Sequence, residues 1–268
     1  MKNSNNLEKS RGVVVFAVNT DTVDYVRIAD QTSRLIQHHL NLPVTLITDA
    51  QAQPEFAYDS IVTIDAQGDN WRTGGVQWRN FGRHLAYELT PYRETILLDT
   101  DYLVLDDSLL NLFETDFDYK LMHHNVDEAG PSYETMGPTS LPFIWATVIL
   151  FRKTAKSKML FDLVGRIQRN YNYYRLLYNI REGNYRNDYA LSIALGLVSG
   201  HTLKVDSIPW AMPSVLPDTE LSKVDAGETE LWHMKYKDQS GKLKTIGLAG
   251  QDFHAMGKYE LEKVIAAN

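Results

Sequence analysis

The residues Ile96-Leu97-Leu98-Asp99-Thr100-Asp101-Tyr102-Leu103-Val104-Leu105 set two carboxylates at i and i+2 inside an otherwise apolar run. An ionised carboxylate is costly to bury without a partner. A strand that ends in two of them has to deliver both to water, to a basic side chain or to a cation. If the backbone leaves the sheet after Asp99, both side chains can face one cleft. Hard divalent cations such as Mg2+ and Mn2+ take oxygen ligands of this kind and often bridge to substrate phosphates. An Asp-rich turn at a strand end satisfies the same ten residues, and short motifs match by chance. On this stretch alone both readings stand.

The elements that must position the pair are legible from hydrophobic pattern. Residues 1–11 read as a disordered lead-in and residues 12–268 as a single domain. Val13 to Val18 is a continuous apolar, β-rich run, as expected of a strand buried on both faces. A polar loop, Asn19 to Asp24, leads to a helix over Val26 to Leu40 with Ile28, Leu35, Ile36 and Leu40 inward. Val44 to Thr48 and Ile61 to Ile64 are further strands, and Asp49 closes the first of them. Residues 65–77 read as loop, Gln77 to Leu89 as a helix, and Thr95 to Leu98 as the strand that runs into the two aspartates. Tyr119 to His123 and Ile144 to Phe151 are strands, separated by a Gly-, Pro- and Ser-rich loop from Asn125 to Pro142. Ser157 is placed to cap a helix over Lys158 to Ile180. Asn187 to Leu197 and Lys258 to Ala267 are predicted helices, with short strands and turns between Gly200 and Lys258. Alternating strands and helices give an α/β fold, a mixed and mostly parallel Rossmann-like sheet flanked by helices. In such sheets ligands sit outside the carboxyl ends of the strands. Asn19 to Asp24, Asp49 and the Asp99/Asp101 pair all fall there.

Bulk composition narrows the function. The chain has 268 residues, 44% hydrophobic and 23% charged, ordinary for a globular protein. A net charge of −7 gives no broad attraction to nucleic acid or an anionic membrane, although a local basic patch can exist. The absence of cysteine excludes disulfides, thiolate zinc sites and a cysteine nucleophile. Met1 to Arg11 is polar, unlike a signal peptide, and the longest apolar stretches are strand-sized. The expectation is a cytoplasmic protein with no transmembrane segment.

The order of features resembles a known family. Val-Phe-Ala-Val-Asn at 15–19, Asp49, Arg83, Leu-Leu-Asp-Thr-Asp at 97–101 and His-Ala-Met-Gly-Lys at 254–258 are together similar to the GT-A glycosyltransferases. The resemblance is to the retaining branch that contains glycogenin and the bacterial lipooligosaccharide galactosyltransferases. It implies a GT-A fold and a donor that is a nucleoside diphosphate sugar, expected to be a UDP-sugar. It implies Mn2+ or Mg2+ held by Asp99, Asp101 and His254. It places Ala17, Asn19, Tyr25, Arg83, Thr100, Gly257 and Lys258 around the sugar nucleotide. It further implies that Asp188 contacts the donor sugar and that Asn187 lies near the reacting anomeric carbon. Asn and Asp are also common helix starters. One departure is plain: the strand after the metal motif reads Trp145-Ala146-Thr147-Val148 where the family has Asn followed by a small residue, Gly and Val.

The resulting expectation is a metal-dependent hexosyl- or pentosyltransferase that passes a sugar to a hydroxyl acceptor with retention. The acceptor class stays open among a glycan, a lipid-linked sugar, a protein and a modified nucleic acid. A sugar-phosphate nucleotidyltransferase is the alternative enzyme, but Asn19-Thr20-Asp21-Thr22 lacks the glycine and basic residue such a loop needs. A non-catalytic sugar-nucleotide- or carbohydrate-binding protein is the third reading. The segment Arg166 to Arg186 interleaves arginines with tyrosines, which suits either an amphipathic helix or an acceptor surface. Trp71, Trp78 and Trp210 suit either a pocket wall or core, and His123-His124 has no metal-pair spacing.

Overall fold

Three apolar runs with β-branched residues zip together in parallel and set the frame. The structure, a computed structural model, describes residues 9–65, 70–71, 77–78, 82–132, 134–136, 141–202, 204–226, 229–238 and 240–267. In chain order the first strands are β1 (Lys9–Phe16), β2 (Val44–Thr48), β3 (Ser60–Thr63), the pair β4 (Asn70–Trp71) and β5 (Gln77–Trp78), and β6 (Tyr92–Leu98). They are followed by β7 (Tyr102–Leu103), β8 (Tyr119–Met122), β9 (Asn125–Asp127), β10 (Gly130–Ser132) and β11 (Trp145–Arg152). The last are β12 (Met212–Val215), β13 (Glu220–Ala226), β14 (Thr229–Lys237), β15 (Leu243–Ala249) and β16 (Phe253–Ala255). The helices are α1 (Tyr25–Leu40), α2 (Ala86–Leu89), α3 (Ala155–Arg169), α4 (Tyr171–Leu177), α5 (Asn187–Val198) and α6 (Lys258–Ala267).

The main sheet has the order β3-β2-β1-β6-β11-β8. The first four strands run parallel, while β11 runs antiparallel to both β6 and β8. This is a mixed, mostly parallel sheet flanked by helices. Val13, Val14, Val15, Ile96, Leu97 and Leu98 are fully buried, as strands covered on both faces require. Tyr92 crosses from β6 over Gly12 of β1, and its hydroxyl is 2.8 Å from Thr45 Oγ1 on β2. A second sheet, β10-β9-β12-β16-β7, starts where the chain leaves β6. A three-stranded antiparallel sheet, β13-β14-β15, supplies Trp232 to a separate apolar cluster with Phe253 and Leu261.

Several boundaries differ from the sequence reading, each for a local reason. β1 begins at Lys9, inside the expected lead-in, because Lys9 pairs with Tyr92 and Arg11 with Glu94. The helix expected over 77–89 is confined to a 3-10 turn at Arg83–Leu85 that runs into α2; Gln77–Trp78 is strand, and residues 79–81 lie outside the described ones. The loop expected over 65–77 contributes β4. The side chains of Trp71 and Trp78 lie outside the described residues. The helix expected over 158–180 is two helices, broken at Asn170 (φ −124°). Its cap is Thr154, whose side chain accepts from the Ser157 amide, so Ser157 receives the cap rather than providing it. The loop over 125–142 contains the β9–β10 hairpin, turned at Gly130 with φ +110°.

Candidate metal and nucleotide site

β1 and β6 are parallel neighbours with Val15 opposite Leu98, so residues 16–19 and 99–101 leave the sheet side by side at its carboxyl rim. The turn after β6 is pinned from both sides. The Asp99 amide donates to Thr147 O of β11 (2.9 Å), and the Ala255 amide of β16 donates to Asp101 O (2.8 Å). The Tyr102 amide closes the turn on Asp99 O at 3.2 Å. β16 pairs antiparallel with β7, His254 opposite Tyr102, and this brings the imidazole beside the aspartates. One candidate ligand atom from each of Asp99, Asp101 and His254 falls within 4.8 Å of the others.

The cluster is strongly charged and mostly dry. Asp101 is 3% exposed; its Oδ2 lies 3.2 Å from His254 Nε2 and in contact with Lys258 Nζ. Neither contact is a well-directed hydrogen bond to that oxygen, and among the described residues His254 Nδ1 is also buried without a hydrogen-bond partner. Burial alone would raise the Asp101 carboxyl, but Lys258 and His254 outweigh it and hold it well below the usual carboxylate range. Arg83 contacts Asp99 through one terminal nitrogen and donates through the other to Ala146 O at 3.1 Å. Burial pushes its guanidinium down to about 10, against the opposing charges of Asp188 and Asp101.

The remaining predicted residues each have defined local contacts. Asp188 sits in the first turn of α5, and its carboxylate does not cap that helix. Oδ1 accepts from the Ala146 amide (2.9 Å) and Oδ2 from Arg186 Nη2 (2.7 Å). Asn187 is buried, its Oδ1 accepting from the Tyr185 hydroxyl at 2.9 Å. Ala17 closes β1, its amide donating to Ile47 O. Asn19 Oδ1 accepts from the Val26 amide at 2.9 Å and so fastens the start of α1 to the rim. Tyr25 opens α1 and packs against both apolar clusters. Thr100 is buried, its carbonyl accepting from Thr32 Oγ1 of α1. Gly257 is small for a packing reason: a Cβ there would lie 3.0 Å from Pro217 O.

Trp145 is 4% exposed and packs edge-on to Phe143 with ring centroids 5.1 Å apart. The indole is thus part of the core beneath the rim. Trp210 is partly buried against the same core. His123 Nε2 donates to Glu134 O (3.1 Å), outside the carboxylate cluster. The sequence reading missed Asp252. Its Oδ1 accepts from the Leu105 and Asp106 amides (2.6 and 3.2 Å), and its Oδ2 from the Tyr102 hydroxyl (3.3 Å). It fixes the segment after β7 to the one before β16. The signal was its i−2 spacing from His254, which puts both on one face of an extended chain.

The class of molecule is therefore an α/β protein with a carboxylate–histidine cluster at the rim of a mostly parallel sheet. No family model and no curated protein matches the sequence. Among solved structures, the apo-form glycosyltransferase GlyE of Streptococcus pneumoniae TIGR4 is similar at 18% identity and a TM-score of 0.39, over 75% of this chain and 45% of that one. The galactosyltransferase LgtC, in complex with donor and acceptor sugar analogs, is similar at 16% identity and a TM-score of 0.46, over 69% of this chain and 70% of that one. Mouse xyloside xylosyltransferase 1, apo form, is similar at 10% identity and a TM-score of 0.41, over 73% of this chain and 84% of that one. This chain spans less than half of GlyE. These likenesses are remote, and the chemistry has to be read from the residues themselves. Among the described residues no helix is long and apolar enough to cross a membrane.

Proposed function

We propose that this chain is a metal-dependent glycosyltransferase of GT-A type, passing a sugar with retention from a nucleoside diphosphate sugar, expected to be a UDP-sugar, to a hydroxyl acceptor. The observation that carries the reading is the convergence of Asp99, Asp101 and His254 at the rim, with ligand atoms within 4.8 Å of one another. Two oxygens and a nitrogen suit Mn2+ or Mg2+, and among the described residues nothing meets the buried His254 Nδ1. Asp99, Asp101 and His254 would hold the cation, which when bound offsets charge on a diphosphate leaving group. Arg83 and Lys258 add fixed positive charge beside the same carboxylates, in a site dry enough for that charge to act strongly. Ala17, Asn19, Tyr25, Thr100 and Gly257 form the rim on which the nucleotide would lie. Asp188, held by Arg186 and the Ala146 amide, and Asn187 beside it would meet the donor sugar. That arrangement fixes the orientation of the Asp188 side chain before substrate arrives.

The test is thermal stability across nucleoside diphosphates, sugar nucleotides and nucleoside triphosphates, each with and without Mn2+. A ligand that binds only the folded state at one hundred times its Kd stabilises by about 2.7 kcal/mol. A Mn2+-dependent shift with one diphosphate or its sugar conjugate is expected, and Asp101→Asn should abolish it while the variant still unfolds cooperatively. No shift with any diphosphate, or an undiminished Mn2+-dependent shift in Asp101→Asn, would overturn the assignment. A shift confined to a triphosphate would favour nucleotidyl transfer.

A further inference from the structure

The corner between α3 and α4 has a composition unlike the rest of the surface. From Arg166 to Arg181 the sequence holds four arginines and neither aspartate nor glutamate, within a chain of net charge −7. α4 is two-faced. Tyr171 is buried, and Tyr174 and Tyr178 pack against the main core. On the other side Tyr173, Leu176 and Leu177 are 65%, 70% and 60% exposed. Single exposed leucines are unremarkable, but these three stand at i, i+3 and i+4 of one short helix and form one patch. Arg175 Nε donates to Asn172 Oδ1 at 2.9 Å, which sets its guanidinium along the edge of that patch. Arg166 and Arg169 of α3 and Arg181 after α4 are exposed. An open groove lined by Arg169, Asn170, Tyr173, Asn184 and Tyr185 runs beside the patch. Tyr185 in its wall is the residue whose hydroxyl holds Asn187.

We propose that the α3–α4 corner docks on an anionic lipid bilayer, with Tyr173, Leu176 and Leu177 entering the headgroup layer and Arg166, Arg169, Arg175 and Arg181 pairing with lipid phosphates. The charge complementarity selects the occupant. Exposed apolar side chains accompanied by four arginines, with Glu182 following the last of them, match the composition of helices that lie in a membrane interface. A free phosphate would use the arginines and leave the leucines in water. A second copy packed face to face about a two-fold axis would bring two arginine-rich surfaces together. The groove would then open at the bilayer surface, next to the wall that carries Tyr185.

The test is co-sedimentation of the full chain with vesicles of phosphatidylcholine alone and of phosphatidylcholine mixed with phosphatidylglycerol, at low and high salt. Binding to the anionic vesicles, weakened by salt, is expected. The double variants Leu176→Gln/Leu177→Gln and Arg169→Gln/Arg181→Gln should each lower partitioning on the order of tenfold. Because these side chains are exposed, both variants should keep the parent melting temperature, which separates lost docking from lost folding. Equal binding to neutral vesicles, no binding to anionic ones, or undiminished binding by both variants would overturn the proposal. So would a concentration-dependent dimer, seen by sedimentation velocity, that Leu176→Gln/Leu177→Gln abolishes.

Discussion

Replacing Asp252 by Asn should make the protein's stability less dependent on pH, and the size of the effect follows from where this carboxyl lies. Burial pushes it up to about 7, against the lowering effect of the Leu105 and Asp106 amides. In the unfolded chain an Asp titrates at about 3.9. A raised folded value means that the folded state holds the proton after the unfolded state has lost it. The group's contribution is therefore greatest below pH about 4, declines as pH rises, and levels off above about 7. The interval of roughly 3 units corresponds to about 4 kcal/mol in full, and to about 3 kcal/mol between pH 5 and pH 8. Asparagine keeps an oxygen to accept from the Leu105 and Asp106 amides and has no proton to lose. Urea unfolding of both proteins at pH 5 and pH 8, in chelator, gives the double difference directly, and titrations elsewhere in the chain cancel. The expected result is a variant that gains on the parent as pH rises and exceeds it at pH 8. Parallel stability–pH curves for the two proteins would refute the reasoning, because they would mean that Asp252 ionises alike in both states.

Two other perturbations have defined outcomes. Arg83→Gln removes the contact to Asp99 and should weaken binding of a nucleoside diphosphate with Mn2+ by tenfold or more, about 2 kcal/mol, in calorimetric titration; an unchanged Kd would take Arg83 out of the site. Gly12→Ala places a Cβ into the Tyr92 ring and should cost about 1–3 kcal/mol in urea unfolding, whereas a cost within about 0.5 kcal/mol would show that the ring is free to move aside.

Legibility from sequence followed how local each determinant was. β2 and α6 match their predicted bounds because each is framed by its own punctuation: Pro43 and Asp49 for the strand, Gly257 before the helix. The α3–α4 break was not legible, since the apolar spacing runs on through Asn170, where the side-chain amide donates to Arg166 O at 2.9 Å and ends α3. Gln77–Trp78 pairs with Asn70–Trp71 rather than starting a helix, a choice made between segments and not within one. At the site, the aspartates were visible because carboxylates interrupt an apolar run. His254 and Lys258 were placed by resemblance alone, since no periodicity links them to residue 101. Their contacts with Asp101 depend on β16 entering the second sheet between β7 and β12.

That strand order also sets a timetable for synthesis. All six strands of the main sheet have been made once β11 emerges, so Arg83 can meet Asp99 while translation is still under way. The contacts of Asp101 with His254 and Lys258 come later. The Asp101 carboxylate must wait for them until everything from Val104 to Asp252 has left the ribosome and β16 has slotted beside β7. A ribosome stalled anywhere in that interval holds a chain whose main-sheet strands are all made and whose Asp101 lacks His254 and Lys258. The contacts among Asp101, His254 and Lys258 therefore form in one late step.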